Sequence, residues 1–127
     1  MKTGIVIFAH GSRVEEANEA VRAVASEMAR KGGYELVETA FLDLAPPDLR
    51  QAVARLVSSG AARVVVIPYF LTLGTHLQRD LPRLIDEISS AHEGLEIQIT
   101  GPLDGHHTLS DILVERAGSA LKRQQTE

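Results

Sequence analysis

An α/β fold, with a four-stranded parallel sheet and helices on both faces, is predicted by three features of this 127-residue chain. Short apolar runs alternate four times with longer amphipathic stretches, the pattern of strand–helix units joined by right-handed crossovers. Two of the runs, Ile5-Val6-Ile7-Phe8-Ala9 and Val64-Val65-Val66-Ile67, are unbroken and rich in β-branched residues, and the first has the pattern of a strand covered on both faces. No Pro/Ser-rich linker divides the chain, and its length suits one hydrophobic core, so residues 1–127 are expected to form a single domain.

The first strand is expected over residues 5–9, broken by Gly11-Ser12. Ser12 and Glu15 have the S-x-x-E spacing of a capping box, which predicts a helix starting there. Val14, Ala17, Val21, Val24, Ala25 and Met28 would form its apolar stripe, with Gly32-Gly33 as the stop. Residues 34–41 read as the second strand, and Pro46-Pro47 as the entry to a helix that buries Leu49, Val53, Leu56 and Val57 before Gly60. The third strand is expected over residues 62–67, with Pro68 ending its pairing. Pro82 would collide with the Gln78 carbonyl in a regular helix, so the third helix is expected to settle only near Asp80, with Leu81, Leu84, Ile85 and Ile88 inward. Residues 95–99 give a fourth strand. Residues 108–123 give a last helix with Leu109, Ile112, Leu113 and Ala117 inward, followed by a frayed polar tail over residues 122–127.

Composition narrows the function. A net charge of -4 provides no basic surface for nucleic acid. With no cysteine, disulfides, thiolate metal sites and protein-ligated iron–sulfur clusters are excluded, leaving imidazole and oxygen as metal ligands and fitting a cytoplasmic protein. The apolar stretch over residues 4–9 is too short for a signal-peptide core or a membrane span, so neither a targeting segment nor membrane attachment is expected.

In such a sheet ligands bind beyond the carboxyl ends of the strands, where successive connections diverge; if the strand order is 2-1-3-4, that place lies between strands 1 and 3. His10 follows strand 1, and His76 follows the unperiodic segment after strand 3. Two imidazoles on one rim can hold a divalent metal, and a neutral ring can equally accept a proton. Asp43 starts from the same rim after strand 2, as a third ligand or simply a turn residue before Ala45-Pro46-Pro47. His106 and His107 follow strand 4 and are expected as accessory ligands or metal-entry residues, whereas His92 reads as structural, late in the third helix. Phe70, Leu71, Leu73 and Leu77 cluster in the loop after strand 3, suiting a flat hydrophobic ligand, a partner, or a return to the core. The two best-specified nucleotide-binding loops, G-x-G-x-x-G and G-x-x-x-x-G-K-[ST], are absent.

The segments His10-Gly11-Ser12-Arg13, Phe41-Leu42-Asp43-Leu44, Pro68-Tyr69-Phe70-Leu71, Gly74-Thr75-His76, Asp80-Leu81-Pro82 and Gly101-Pro102-Leu103 together resemble the small single-domain class II chelatases, the sirohydrochlorin cobaltochelatase and ferrochelatase family. The resemblance implies a flavodoxin-like half-domain that inserts cobalt, iron or nickel into sirohydrochlorin on the way to cobalamin, sirohaem or a nickel tetrapyrrole. It places His10 and His76 at the family's two active-site histidine positions, and Asp43 where a glutamate is usual, one methylene shorter in reach. Ser12, Arg13, Phe70, Leu71, Gly74, Thr75 and Arg79 are then expected to contact the macrocycle or its carboxylates. No cofactor beyond the substrate metal is implied. Because larger relatives enclose the tetrapyrrole between two such domains, a homodimer is implied as well. A non-catalytic metal or tetrapyrrole carrier would use the same histidines without turnover, and a phosphate-ligand module would need neither.

Overall fold

A computed structural model describes residues 2–126, with side chains through residue 122. The elements run β1 (Lys2–Ala9), α1 (Glu15–Gly32), β2 (Leu36–Phe41), α2 (Leu49–Ser58), β3 (Ala61–Pro68), α3 (Gly74–Ala91), β4 (Glu96–Ile99) and α4 (Thr108–Thr126). All pairings are parallel and the order is β2-β1-β3-β4, as predicted.

The apolar runs are continuous because β1 is covered on both faces: Ile5, Val6, Ile7 and Phe8 are all buried. One face carries the larger core, in which Val6, Phe8, Val64 and Val66 meet Leu49, Val53 and Leu56 of α2 and Leu81, Ile85 and Ile88 of α3. On the other face Ile5 and Ile7 meet Ala25 of α1, with Val21, Met28, Val37, Ile67 and Tyr69 around them. At about 25 cal/mol per Å² of apolar surface removed from water, these two layers are the main source of stability.

Several expectations are corrected. Ser12 does not cap α1. The helix begins later, after Val14, which makes no side-chain cap, because Glu15 turns instead toward Asn18 and Arg22. Val14 and Val24 are exposed, so the buried stripe of α1 runs through Asn18, Val21, Ala25 and Met28. Gly33 ends α1 in the left-handed conformation, as its neighbours predicted.

Pro68 belongs to β3, opposite Phe8. Alternation along a strand turns its missing N–H away from β1, toward the side where β4 has already ended at Ile99, so no ladder bond is lost. Pro82 lies inside α3, which starts six residues before Asp80, at Gly74. Pro82 and Gln78 are both exposed, so water can serve the carbonyl that proline cannot bond, while Leu77, Leu81, Leu84 and Ile85 keep the opposite side packed. β2 starts at Leu36 rather than at residue 34, and His92 is the C-cap of α3 rather than part of its last turn. The largest departure is α4. Ile112 and Leu113, expected inward, are 42% and 69% exposed, and Ala117 is exposed too. Its helix continues through the tail expected to fray, as far as Thr126, in keeping with the helix-forming Leu, Lys, Arg and Gln there.

Candidate active site

The carboxyl rim of the sheet is built by extending the ladder one step past the strands. Leu42 donates its N–H to the Ala9 carbonyl at 2.8 Å, and Asp43 donates to the His10 carbonyl at 3.0 Å, which locks the segment after β2 against the one after β1. Gly11 makes this closeness possible. Its φ is +93°, and a Cβ there would stand 1.9 Å from the Asp43 carbonyl oxygen.

The loop is then clamped from α1. Asn18, 2% exposed, accepts from the Ser12 N–H at 3.0 Å and donates to the Ser12 carbonyl at 2.8 Å. Ser12 Oγ in turn accepts from the Val14 N–H at 3.0 Å. Sequence reasoning missed Asn18. Its only signal is a polar residue inside an otherwise apolar helical stripe.

His10 and His76 line one hollow of about 450 Å³, together with Leu42, Phe70, Leu73, Gly74, Thr75, Leu77, Asp80, Leu81 and Leu84. Its apolar walls and few convergent polar groups are the composition of a ligand site. Phe70 is shared with the core, its ring 6.0 Å from that of Phe8. A larger and more open hollow on α1, of about 730 Å³ around Val24, Met28 and Tyr34, contains Glu27 and Lys31, already paired with each other, and no imidazole.

The two rings differ in their partners. His10 Nδ1 lies 3.1 Å from the Gly11 carbonyl oxygen, which can only accept, so Nδ1 carries the proton of that bond and the Nε2 lone pair is free. His76, in the first turn of α3, has its Nδ1 3.5 Å from Arg79 Nη2, a group that can only donate. Arg79 also donates from Nε to Asp80 Oδ1 at 3.0 Å. That bond holds the Asp80 carboxyl below its usual range, against a smaller desolvation effect, with the charges of Arg79, Arg83 and His76 adding to it. A permanent carboxylate therefore faces the histidine pocket, a feature that residue spacing alone did not single out.

Of the other expected site residues, Phe70, Gly74 and Thr75 line the hollow, while Ser12, Arg13, Leu71 and Arg79 do not. Arg13 is exposed and forms no ion pair among the described residues, and Leu71 is 65% exposed. Asp43 turns its Oδ1 onto the Leu44 N–H at 2.8 Å, the turn-residue role, and does not line the hollow. Among the described residues no three His, Asp or Glu side chains are grouped closely enough to hold a metal. His106 and His107 stack on each other with centroids 4.5 Å apart instead of diverging, and His106 Nδ1 accepts from the Thr108 N–H at the start of α4. They stand outside the hollow. A second hollow shares Leu73, Gly74 and Thr75 with it and extends past Gln78 to Pro102 and Asp104. No side chain caps the first turn of α3, whose Gly74 and Thr75 line this trough.

Fold and rim together define an open-sheet α/β protein with a paired-imidazole cleft at the point where its connections diverge. The chain belongs to the CbiX family, whose model matches residues 4–120. It is 38% identical over 118 residues to the chloroplastic sirohydrochlorin ferrochelatase of Arabidopsis thaliana, covering 93% of this chain and 52% of that protein. To the sirohydrochlorin cobaltochelatase of Saccharolobus solfataricus it is 32% identical over 126 residues, covering 94% of this chain and 97% of that one. The chain thus spans about half of the plant relative and nearly all of the archaeal one. Among solved structures, a CbiX protein of Marinobacter aquaeolei VT8 superposes with a TM-score of 0.83 at 27% identity, covering 95% of this chain and 98% of that one. Among the described residues no helix is long and apolar enough to cross a membrane.

Proposed function

We propose that the chain is a sirohydrochlorin chelatase, a lyase that inserts a divalent cobalt, iron or nickel ion into sirohydrochlorin, acting as one domain in the cytoplasm and as a homodimer. One observation carries the reading: His10 and His76, 66 positions apart in the chain, line a single apolar hollow on the sheet rim. Its support from relatedness is the near full-length match to a cobaltochelatase and the match to a ferrochelatase.

Insertion exchanges two pyrrole N–H protons for one divalent cation. Charge balances and no electron moves, so the metal enters as substrate and the chemistry calls for no redox cofactor. The Nε2 lone pair of His10 takes the two pyrrole protons in turn, passing the first to solvent before it accepts the second. His76 receives the metal at Nδ1, the lone pair that Arg79 Nη2 faces at 3.5 Å, so the Arg79 side chain has to turn aside, and the Asp80 carboxylate one turn along α3 adds negative charge that favours the incoming cation. Leu42, Phe70, Leu73 and Leu77 give the macrocycle an apolar bed. Sirohydrochlorin also carries many carboxylates, and the uncapped α3 N-terminus at Gly74 and Thr75 is placed to receive one, with Arg13 and Ser12 across the rim. Asp43, committed to its own turn, is left out of the metal's path, and His106 and His107 remain candidates for metal entry from outside the hollow. The balance of -4 argues against a nucleic-acid partner.

The test is an anaerobic spectral assay of sirohydrochlorin with substoichiometric protein and excess Co(II), Fe(II) or Ni(II). Multiple turnovers with at least one ion are expected, and a product yield that stops at one equivalent of protein would make the chain a carrier. His10→Ala and His76→Ala should each lower the rate at least about a hundredfold, the usual scale of a positioned acid–base group, with the fold intact. Parental rates in either variant would overturn the assigned role.

A further inference from the structure

Arg79 stands between the imidazole of His76 and the nearest carboxylate. Its Nε donates to Asp80 Oδ1 at 3.0 Å, and its Nη2 faces His76 Nδ1 at 3.5 Å. The N–H groups of a guanidinium form a rigid planar fork, so a carboxylate oxygen and an imidazole lone pair that meet the same fork lie side by side. His76 and Asp80 are also four positions apart on α3, the spacing that puts two side chains on one face of a helix. Both line the hollow and Arg79 does not, so the guanidinium closes the pair from its outer side.

A divalent ion asks for the same two atoms. With bonds of about 2.1 Å to nitrogen and to oxygen, its neighbouring ligands stand roughly 3 Å apart, which helical residues at this spacing can reach. Among the described residues no third His, Asp or Glu joins the pair. Two protein donors hold an ion weakly, as suits one that is to be handed on. The guanidinium is itself a displaceable occupant. The Arg79 and Asp80 side chains are 62% and 52% exposed, an ion pair so exposed is weak, and the contact to His76 is at the long limit of a hydrogen bond. Arg79 lies four positions after Thr75, on the same side of α3, so a carboxylate received at the uncapped Thr75 end meets it. Arg83, one turn beyond, acts on Asp80 through its charge, with no hydrogen bond between them among the described residues.

We propose that His76 Nδ1 and the Asp80 carboxylate form a two-donor seat for the divalent metal, that the Arg79 guanidinium plugs this seat in the resting protein, and that a macrocycle carboxylate draws the plug. The proposal deepens the chelatase reading above and rests on it for the macrocycle. Asp80 becomes a ligand rather than a background charge, and Arg79 a gate. With the plug in place, a neutral imidazole, a carboxylate and a guanidinium cancel to no net charge, and a dication gains nothing by approaching. Once the guanidinium has turned to another anion, the seat carries one uncompensated negative charge and attracts the metal. The order of events follows: macrocycle first, metal second. The ion then waits at the edge of the hollow in which the macrocycle lies, held by two donors that the pyrrole nitrogens can outnumber.

The probe is Co(II) alone, titrated anaerobically and followed by its visible absorption bands, which report nitrogen and oxygen ligation. His76, Arg79, Asp80 and Arg83 are all exposed, so their variants keep the fold. Without macrocycle, Arg79→Ala should bind Co(II) about tenfold more tightly than the native chain, the factor by which a plug in place nine-tenths of the time weakens binding. Adding Asp80→Asn or His76→Ala to Arg79→Ala should each abolish that gain. Arg83→Ala removes an equal charge and no bond, and should stay within about twofold of the native affinity. The proposal is overturned if Arg79→Ala binds no more tightly than the native chain or if its gain survives Asp80→Asn. It is equally overturned if Arg83→Ala gains as much, since charge alone would then explain the effect. Turnover is read separately. A chain that metallates sirohydrochlorin while Arg79→Ala shows no gain sinks the plug alone, and one with the expected Co(II) affinities that never turns over sinks the chelatase reading alone.

Discussion

Replacing Asn18 with alanine should loosen the His10 loop from a position that itself touches no ligand. The substitution removes the acceptor of the Ser12 N–H and the donor to the Ser12 carbonyl, together with a weaker contact to Glu15 Oε2 at 3.3 Å. Water can replace the last of these, since Glu15 is exposed, but alanine offers nothing to the partly buried Ser12 backbone. An unsatisfied buried group costs about 1–3 kcal/mol, and partial burial puts both at the low end, for a total of about 2–3 kcal/mol. With an unfolding entropy of about 2.1 cal/mol/K per residue, each kcal/mol lowers the Tm of a domain this size by about 4 °C, so a fall of about 8–12 °C is expected. If the clamp also fixes the His10 ring, metallation at a temperature where both proteins are folded should drop about tenfold, equivalent to about 1.4 kcal/mol of lost positioning. Thermal unfolding followed by circular dichroism and the anaerobic assay measure the two effects. A Tm within about 2 °C of the parent would refute the hydrogen-bond accounting, and a lowered Tm with an unchanged rate would show that the clamp stabilises without positioning.

Two further outcomes concern backbone strain and acid stability. Gly11→Ala must push its Cβ away from the Asp43 carbonyl and hold an unfavourable φ as well, so a loss above about 3 kcal/mol is expected. Gly94→Ala, with φ +79° and no atom near its Cβ, should cost only the conformational part, about 1–2 kcal/mol. Equal urea midpoints for the two variants would remove the steric argument. For acid stability, hydrogen bonds from Arg22 and then Asn18 hold the Glu15 carboxyl below its ordinary 4.5. Its contribution is thus complete above that value and disappears as pH falls through the lower folded value. Glu15→Gln should accordingly lose less stability than the parent as pH falls below 4.5, and identical acid limbs in urea titrations would contradict this.

The strands were legible because burial writes itself directly as unbroken apolar runs: Ile5-Val6-Ile7-Phe8 is buried on both faces, whereas in Val64-Val65-Val66-Ile67 only Val64 and Val66 are fully buried. Helix starts were read less well. Ser12 and Glu15 carry the spacing of a capping box that the chain does not form, whereas Asp48 and Gln51, also three residues apart, form one in both directions at α2. The difference lies in tertiary partners: Asn18 and Arg22 claim the Ser12 backbone and the Glu15 carboxylate, whereas among the described residues the Asp48 side chain bonds only the Gln51 N–H. Pro82 misled for a similar reason. A local clash argument weighs one carbonyl, while the helix answers to the whole Leu77–Leu81–Leu84–Ile85 face.

Taken alone, the order of residues determined a parallel sheet of four strands and sent His10 and His76 to its carboxyl rim, because periodicity and strand ends are properties of short segments. It also carried the family resemblance that the CbiX match bears out. Which side chains meet there was decided only in three dimensions. Asp80 joined the hollow and Asp43 stayed in its turn, Asn18 became the clamp, and α4, amphipathic on paper, was left with no surface of its own to cover. Each of these depends on competition among groups distant in the chain for the same partner or the same face, which no local pattern records.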